Sequence, residues 1–341
     1  MSTPVMIIGY VISAAILVFF SIKLANYVDL LDKKTNISGA FIGGVVLAAV
    51  TSLPELVTSL SAVFVVDKPE LIIGNVLGSN IFNLCIFGGG ILLAAKAFSK
   101  AKIGKAHLAT LLCTLVACGL IAVVFWVRST TGAFAQIPVI NVNVMSLLIL
   151  AVYFVSFKFL SNDSSENDEE DTSPLTVKQI IVRFILMALG LVAMSIVVTW
   201  FTDRLQEKFQ LDASLAGAIF LGVATSLPEL TSSIALIRRK NFNAMTGNVV
   251  GSNMFNFTIF SIADIIAGRE IYPSHATVSD ETKNMLIFGV VSTLFVMIAI
   301  MLQSRLREKE TKGGVLVVYG AIGVLILASY ITSLLLPFSL F

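Results

Sequence analysis

Ten long apolar runs constrain this chain more than any other feature of its sequence. Each is about 20 residues or longer, which is the length that an α-helix needs to cross roughly 30 Å of hydrocarbon. The runs are continuously apolar, without the alternation of an outer-membrane strand, and only 13% of the residues are charged, against about a quarter in soluble domains. The sequence therefore predicts an all-α membrane protein with ten transmembrane helices, at about 5–26, 37–66, 70–95, 106–127, 138–160, 179–202, 213–237, 244–267, 285–303 and 314–336.

The basic residues predict how these helices are oriented. If the N-terminus lies outside the cell, the loops after the odd-numbered spans are cytoplasmic, and with their flanks they hold 17 of the 23 Lys and Arg residues. The positive-inside rule thus favours a multi-pass protein of the cell (inner or plasma) membrane, with both termini outside. The net charge of +2 reflects this topology and gives no indication of nucleic-acid binding.

Two sequence blocks occur twice. TSLPEL stands at 51–56 and again at 225–230, and GNVLGSNIFN at 74–83 returns as GNVVGSNMFN at 247–256, with eight of ten positions identical. Such a match indicates an internal duplication. Each copy lies five predicted spans after its counterpart, and an odd offset turns the second copy upside down in the membrane. Inverted repeats of this kind are typical of secondary transporters, whose binding site lies where the repeats meet near the membrane midplane.

The duplication divides the chain into two repeats and a linker. The linker contains six acidic residues between Asp163 and Asp171 and is expected to be solvated. The predicted division is a first five-helix repeat at 1–160 with its motif at 48–83, an acidic cytoplasmic linker at 161–178, and a second, inverted five-helix repeat at 179–341 with its motif at 222–256.

The repeated blocks place oxygen-bearing side chains around helix-breaking prolines. Pro54 and Pro228 each remove a backbone donor within a predicted span, and unpaired backbone at that depth is tolerated only where it lines a cavity or a site. A single buried Glu beside a proline would be explained as a helix kink. Its repetition with the same flanking hydroxyls favours function, because ionisable residues within the membrane are energetically costly. The candidate side chains are Thr51, Ser52, Glu55, Ser79 and Asn83 in the first copy and Thr225, Ser226, Glu229, Ser252 and Asn256 in the second.

These candidates suit a hard cation. Ca²⁺ takes about 6 to 8 oxygen ligands, and the blocks offer hydroxyls, amides, carbonyls and carboxylates without His or Cys. Two glutamates could balance one Ca²⁺ or two Na⁺. The flanking glycines, Gly74, Gly78, Gly247 and Gly251, fit a small-xxx-small pattern that brings helices close together.

Three further polar residues are weaker candidates. His107 and His275 fall near span ends, where we expect them to be solvated at the membrane interface. Asp264 lies late in the eighth span and could face an ion pathway, but its counterpart in the first copy is not acidic.

With both blocks in place, the chain resembles the cation/Ca²⁺ antiporter superfamily, and within it the prokaryotic sodium/calcium exchanger type. That resemblance implies ten helices in two inverted repeats of five, and no enzymatic activity. It implies no cofactor and no protein partner, with Ca²⁺ and Na⁺ as transported ions in a lipid bilayer. It also implies that Glu55 and Glu229 are the shared central ligands and that Thr51 and Thr225 complete the Ca²⁺ site. The flanking Na⁺ sites would be formed by Ser52, Ser79, Ser226, Ser252 and the carbonyls of Ala48 and Gly222, with Asn83 and Asn256 at the last motif position.

One departure from the family pattern bears on selectivity. Exchangers of this type often have Asp where this chain has Asn256, so the site has one potential charge fewer. Coupling to H⁺ or K⁺, or transport of another divalent cation, stays open. A cation channel and an intramembrane hydrolase are the alternatives from other classes, and the hydrolase is disfavoured because no histidine or nucleophile accompanies the glutamates.

Overall fold

The computed structural model describes residues 3–35, 39–64, 70–131, 136–137, 142–161, 173–209, 225–268, 271, 280–307 and 313–335. Almost all of them are helical. The elements of the first half are α1 (Thr3–Lys34), α2 (Gly39–Phe41), a π-helical segment (Ile42–Leu47), α3 (Ala48–Thr51), α4 (Leu53–Phe64), α5 (Glu70–Leu93), α6 (Ala95–Lys100), α7 (Ala106–Thr131), β1 (Gln136–Ile137), β2 (Val142–Asn143) and α8 (Val144–Ser161). Those of the second half are α9 (Val177–Phe209), α10 (Leu227–Arg238), α11 (Phe242–Ala267), α12 (Asp280–Leu306) and α13 (Gly313–Leu335).

Eight helical stretches of the described chain are long and apolar enough to cross a membrane, and they correspond to eight of the ten predicted spans. They are Thr3–Lys34, Ile42–Ser61, Ile72–Leu93, Ala106–Val124, Val177–Val198, Phe242–Ala267, Lys283–Leu306 and Gly314–Leu335. The chain is therefore a multi-pass, all-α membrane protein.

The two remaining predicted spans differ from this pattern. The fifth, predicted at 138–160, begins only at Val144, because Val142 and Asn143 pair as an antiparallel strand with Ile137 and Gln136. Its apolar stretch, Val144–Leu160, is correspondingly shorter. The seventh, predicted at 213–237, lies partly outside the described residues, which begin again at 225 and form α10.

The helices differ greatly in how deeply they are buried. In the most apolar 18-residue window of α11, 78% of the residues are buried, against 22% in α1 and 18% in α9. α1 packs along α9, and their outer faces expose large apolar side chains suited to lipid. α11 contacts α4, α5, α7, α8, α10 and the π-helical segment. The second repeated block, GNVVGSNMFN, is therefore at the centre of the protein.

Candidate cation site

Both copies of TSLPEL lie where a helix is interrupted. α3 ends at Thr51 and α4 begins at Leu53, and Ser52 between them has φ −90° and ψ 8°. Ser226, which precedes α10, has nearly the same angles, φ −91° and ψ 7°. In each copy the proline stands in the first turn of the helix that follows, where its missing N–H does no harm. The interruption thus falls at the serine and directs its side chain toward the other half of the protein.

The two glutamates are fully buried and are held crosswise by these serines. Ser226 Oγ donates to Glu55 Oε1 over 2.8 Å, and Ser52 Oγ donates to Glu229 Oε1 over the same distance. Glu55 and Glu229 are both 0% exposed. Each carboxylate is therefore fixed by the half of the protein to which it does not belong.

A second serine approaches each carboxylate from within its own half. Ser79 Oγ lies 3.4 Å from Glu55 Oε1, and Ser252 Oγ lies 3.4 Å from Glu229 Oε1. Ser226 Oγ also lies 3.3 Å from Ser79 Oγ. The four predicted serines and the two glutamates thus form two matching groups of oxygen atoms, Ser226–Glu55–Ser79 and Ser52–Glu229–Ser252, which together are called the oxygen cluster.

The threonines and the Ala48 carbonyl lie beside this cluster. Thr51 Oγ1 is 3.3 Å from Ala48 O and 3.5 Å from Ser252 Oγ, and Ser252 Oγ is 3.5 Å from Ala48 O. Thr225 is buried, with 2% of its surface exposed. Gly222, whose carbonyl was predicted to match that of Ala48, lies outside the described residues.

Several buried oxygen atoms of the predicted site residues have no hydrogen-bond partner in the described part of the chain. They include the Oε2 atoms of Glu55 and Glu229 and the Oδ1 atoms of Asn83 and Asn256. Unpaired buried carboxylate and amide oxygens are energetically costly unless a ligand satisfies them. Among the described residues no three His, Cys, Asp or Glu side chains converge. A cation held by these side chains would be coordinated mostly by hydroxyl, amide and carbonyl oxygens, which hard cations prefer.

The remaining motif asparagines connect helices. Asn80 Nδ2 donates to Asn253 O over 3.3 Å, and Asn253 Nδ2 donates to Asn80 O over 3.1 Å, which ties α5 to α11 through a reciprocal pair. Asn75 Nδ2 donates to the Glu55 carbonyl over 3.3 Å. Asn248 Nδ2 donates to two serine hydroxyls of α10, 3.0 and 3.1 Å away. The sequence did not distinguish these supporting residues from ligands, because all of them offer the same amide group.

A close backbone contact fixes the second block against the first half. A Cβ atom at Gly251 would lie 2.0 Å from Gly44 O, and one at Gly247 would lie 2.8 Å from Gly44 N. Only glycine permits this approach. Gly44 belongs to the π-helical segment, and such wide turns are found frequently at functional sites. The predicted close packing is thus observed for these two glycines, with the π-helical segment as their partner.

Asp264 lies at the far end of α11 and joins it to the start of α8. Its Oδ2 atom accepts hydrogen bonds from Asn143 N and Ser146 Oγ, both over 2.7 Å. These bonds satisfy donors at the N-terminus of α8, as a capping carboxylate does. The geometry explains Asp264 as a connection between helices, and the described contacts do not place it in the oxygen cluster.

His107 is buried rather than solvated, so the expectation of solvation was wrong. The side chain is 0% exposed, and its Nε2 atom lies 2.8 Å from Asn243 Oδ1. The first turn of α11 covers it. His275 lies outside the described residues.

Comparison with known proteins gives consistent matches over most of the chain. The family model described as sodium/calcium exchanger protein matches residues 5–161 and 179–338. The inner membrane protein YrbG of Escherichia coli K12 is 24% identical over 298 residues, covering 86% of this chain and 88% of that protein. The putative antiporter CaxA of Alkalimonas amylolytica is 24% identical over 237 residues, covering 69% and 72%.

The fold also matches a solved structure. The sodium-calcium exchanger NCX_Mj, soaked with Na⁺ and Ca²⁺, superimposes with a TM-score of 0.68 at 20% identity, over 99% of this chain and 100% of that chain. The architecture is thus that of two inverted repeats, as predicted. Since the family model covers both halves, the chain belongs to the sodium/calcium exchanger protein family, whose members are membrane transporters and not enzymes.

Proposed function

We propose that this protein is a secondary antiporter that exchanges Ca²⁺ for Na⁺ by alternating access. The crossed pair of buried glutamates carries the proposal: each accepts a hydrogen bond from the opposite half, and each has an Oε2 atom without a partner among the described residues. The names of similar proteins support it, since CaxA is called a putative antiporter and NCX_Mj a sodium-calcium exchanger.

The residues of the cluster would share the transported ions. Glu55 and Glu229 would bind Ca²⁺ centrally, with Thr51 and Thr225 completing its site. Na⁺ would occupy flanking positions formed by Ser52, Ser79, Ser226, Ser252 and the carbonyls of Ala48 and Gly222, with Asn83 and Asn256 contributing amide oxygens.

Charge balance would couple the two ions. Two ionised glutamates carry two negative charges, which one Ca²⁺ or two Na⁺ would neutralise. Because both ions need the same carboxylates, they would compete rather than bind together. Two uncompensated carboxylates in a medium of low dielectric constant repel each other, so an occluded state would require bound cations.

The crossed hydrogen bonds suggest why movement and binding would be linked. Ser52 and Glu55 belong to one half, and their partners Glu229 and Ser226 belong to the other. A rocking or sliding of one half against the other would change both bonds together. The site would then be complete only in particular arrangements of the halves, as alternating access requires.

Flux measurements on the purified protein test this proposal. ⁴⁵Ca²⁺ uptake into proteoliposomes would be followed with outward Na⁺, K⁺ or H⁺ gradients imposed one at a time. We expect the Na⁺ gradient alone to drive accumulation. Accumulation driven by H⁺ or K⁺ without Na⁺ would show that H⁺ or K⁺ is the coupling ion instead of Na⁺. If another divalent cation competes more strongly than Ca²⁺, that cation would be the transported ion instead. Uptake independent of every counter-gradient, with unitary currents, would identify a channel instead.

We further propose the predicted topology: two repeats at 1–160 and 179–341, a cytoplasmic linker at 161–178, and both termini outside. Of this linker, residues 162–172 lie outside the described chain. A cysteine introduced by Ser165→Cys should react with a membrane-impermeant thiol reagent in inside-out vesicles and not in right-side-out vesicles. The reverse pattern would contradict the orientation.

A further inference from the structure

A cavity bordered by lysines lies away from the oxygen cluster. It has a volume of about 380 Å³ and is lined by Lys96, Ala97, Lys100, Ala101 and Lys240. Within the described part of the chain, no acidic side chain lines it, and none of its three lysines forms an ion pair. Three like charges around one concavity repel one another and attract an anion.

The lysines are held in place by two different parts of the chain. Lys96 and Lys100 are four residues apart on the exposed face of α6. Lys240 lies in the turn between α10 and α11 and has a left-handed φ of 60°. The convergence of these segments makes the cavity a feature of the fold rather than a run of neighbouring basic residues.

Aromatic packing keeps α6 in position beside that turn. Phe98, on the buried face of α6, is 0% exposed. Its ring packs edge-on against Phe87 at 5.8 Å, Phe242 at 5.9 Å and Tyr319 at 5.3 Å between ring centroids. Phe242 is the first residue of α11, two positions after Lys240. The lysines of α6 and of the turn are thus held in position by the same cluster of aromatic rings.

Two exposed leucines precede the lysines of α6 along the chain. α5 ends with Leu92 and Leu93, which are 39% and 90% exposed, and Lys96 follows three residues later. A ligand of this region would therefore meet hydrocarbon contacts on one side and positive charge on the other. An anionic phospholipid has this division between acyl chains and a phosphate headgroup, whereas a soluble anion uses only the basic part. Basic pockets between membrane helices are known to bind such headgroups, and the volume falls within the range of small-molecule sites.

We infer that this cavity is a binding site for the phosphate headgroup of an anionic phospholipid, with its acyl chains along Leu92 and Leu93. Such a lipid would connect α6, which follows the helix that carries Ser79 and Asn83, to the turn between the helices that carry Glu229 and Ser252. The inference does not depend on which cations the protein transports.

Native mass spectrometry of the full-length protein in detergent tests the inference directly. Dioleoyl phosphatidylglycerol would be titrated against dioleoyl phosphatidylcholine, which has the same chains and no net charge. We expect the anionic lipid to bind about tenfold more tightly or better, given three lysines near the headgroup. The variant K96Q/K100Q/K240N should lose this preference; asparagine is chosen because it tolerates a left-handed φ.

A matched variant separates the cavity from general surface charge. K105Q/K178Q/R305Q removes three exposed positive charges that do not line the cavity, and it should retain the preference. If the first triple variant does not elute as a folded protein, the single changes Lys96→Gln and Lys100→Gln on the exposed face of α6 can be used instead. Each should weaken the binding of the anionic lipid.

Three results would overturn the inference. The first two are equal binding of the two lipids and an equal loss of preference in both triple variants. The third is displacement of the lipid by soluble glycerol 3-phosphate at concentrations comparable to those of the lipid, since this would show that free phosphate is the ligand and the apolar contacts contribute nothing.

Discussion

The two halves of the oxygen cluster are nearly identical around the glutamates. The serine at each helix interruption donates to the opposite carboxylate over 2.8 Å, from Ser226 to Glu55 and from Ser52 to Glu229. The serine of the second block lies 3.4 Å from its own carboxylate in both halves. The inverted symmetry therefore extends to individual hydrogen-bond lengths where the charges are.

The halves differ at the asparagines that end the motif. Asn256 Nδ2 donates to Asn80 Oδ1 over 3.0 Å. Among the described residues, neither amide atom of Asn83 has a hydrogen-bond partner. Symmetry is thus strict at the charged centre, where an error would leave a buried carboxylate unsupported, and relaxed at neutral amides, which tolerate more than one arrangement.

The largest expected effect is the loss of either charge at the centre. Glu55→Gln and Glu229→Gln should each reduce ⁴⁵Ca²⁺ exchange in proteoliposomes to the level of empty liposomes, because each removes half of the charge that would balance the ion. Glutamine has nearly the same shape, so both variants should elute as monodisperse protein. Substantial exchange in one variant alone would break the equivalence of the halves, and in both it would end the proposed mechanism.

A methyl group at the central crossing should have the next largest effect, on stability. In Gly251→Ala the new Cβ would lie 2.0 Å from the Gly44 carbonyl oxygen, and backbone cannot move aside as a side chain can. We expect overpacking to destabilise the protein by about 1–3 kcal/mol or more. Gly78→Ala in the first half should be milder, because the nearest described atom is Met285 Sδ at 3.8 Å.

Thermal unfolding in detergent measures this difference. Gly119→Ala is a suitable control, because Gly119 is exposed on α7 and no described atom lies within 4 Å of the position that its new methyl group would take. Equal destabilisation by Gly78→Ala and Gly251→Ala would mean that the first half contains an equally close crossing.

The architecture could be predicted from the sequence because its signals are long and repeated. Each apolar run is long enough to identify a helix alone, and the duplicated blocks, offset by five spans, indicated the inverted relation of the halves. Short features carried no comparable signal. Nothing in an apolar run distinguishes the strand pairing of Val142 and Asn143 from the helix that begins at Val144, or the π-helical turns of 42–47 from ordinary α-helix.

For the candidate site, the sequence named residues that the structure brings together around the two glutamates, but it did not predict the hydrogen bonds between them. The repeated motif named Ser52 and Glu229 as candidates without linking them, whereas in the structure Ser52 donates to Glu229. The helix interruption at Ser52 redirects the side chain, and a local pattern contains no information on distances between the halves. The burial of His107 could not be predicted for the same reason. Its position near a span end indicated contact with solvent, but a helix distant in sequence covers it.

The crossed serines should have equal and intermediate effects on binding. Ser52→Ala and Ser226→Ala each remove one hydrogen bond to a buried carboxylate, and such bonds contribute about 1.5–3 kcal/mol. We therefore expect the Ca²⁺ concentration for half-maximal exchange to rise about tenfold or more in both variants. Ser21→Ala is a matched control, because among the described residues that buried hydroxyl donates only to the Leu17 carbonyl of its own helix. A large effect of one serine substitution and none of the other would show that the two hydrogen bonds, although equal in length, contribute unequally to Ca²⁺ binding.

The smallest expected effect concerns the asparagines, where the halves differ. Asn256→Ala removes the bond to Asn80 Oδ1 and should lower the stability by about 1 kcal/mol more than Asn83→Ala, which breaks no described hydrogen bond. Both changes delete the same side-chain volume from buried positions, so the difference between their unfolding midpoints isolates the hydrogen bond. In the background of Asn80→Ala that difference should disappear, because the acceptor is gone from both proteins. A difference that persists there would place its origin in the packing of α5 against α11 rather than in the amide pair.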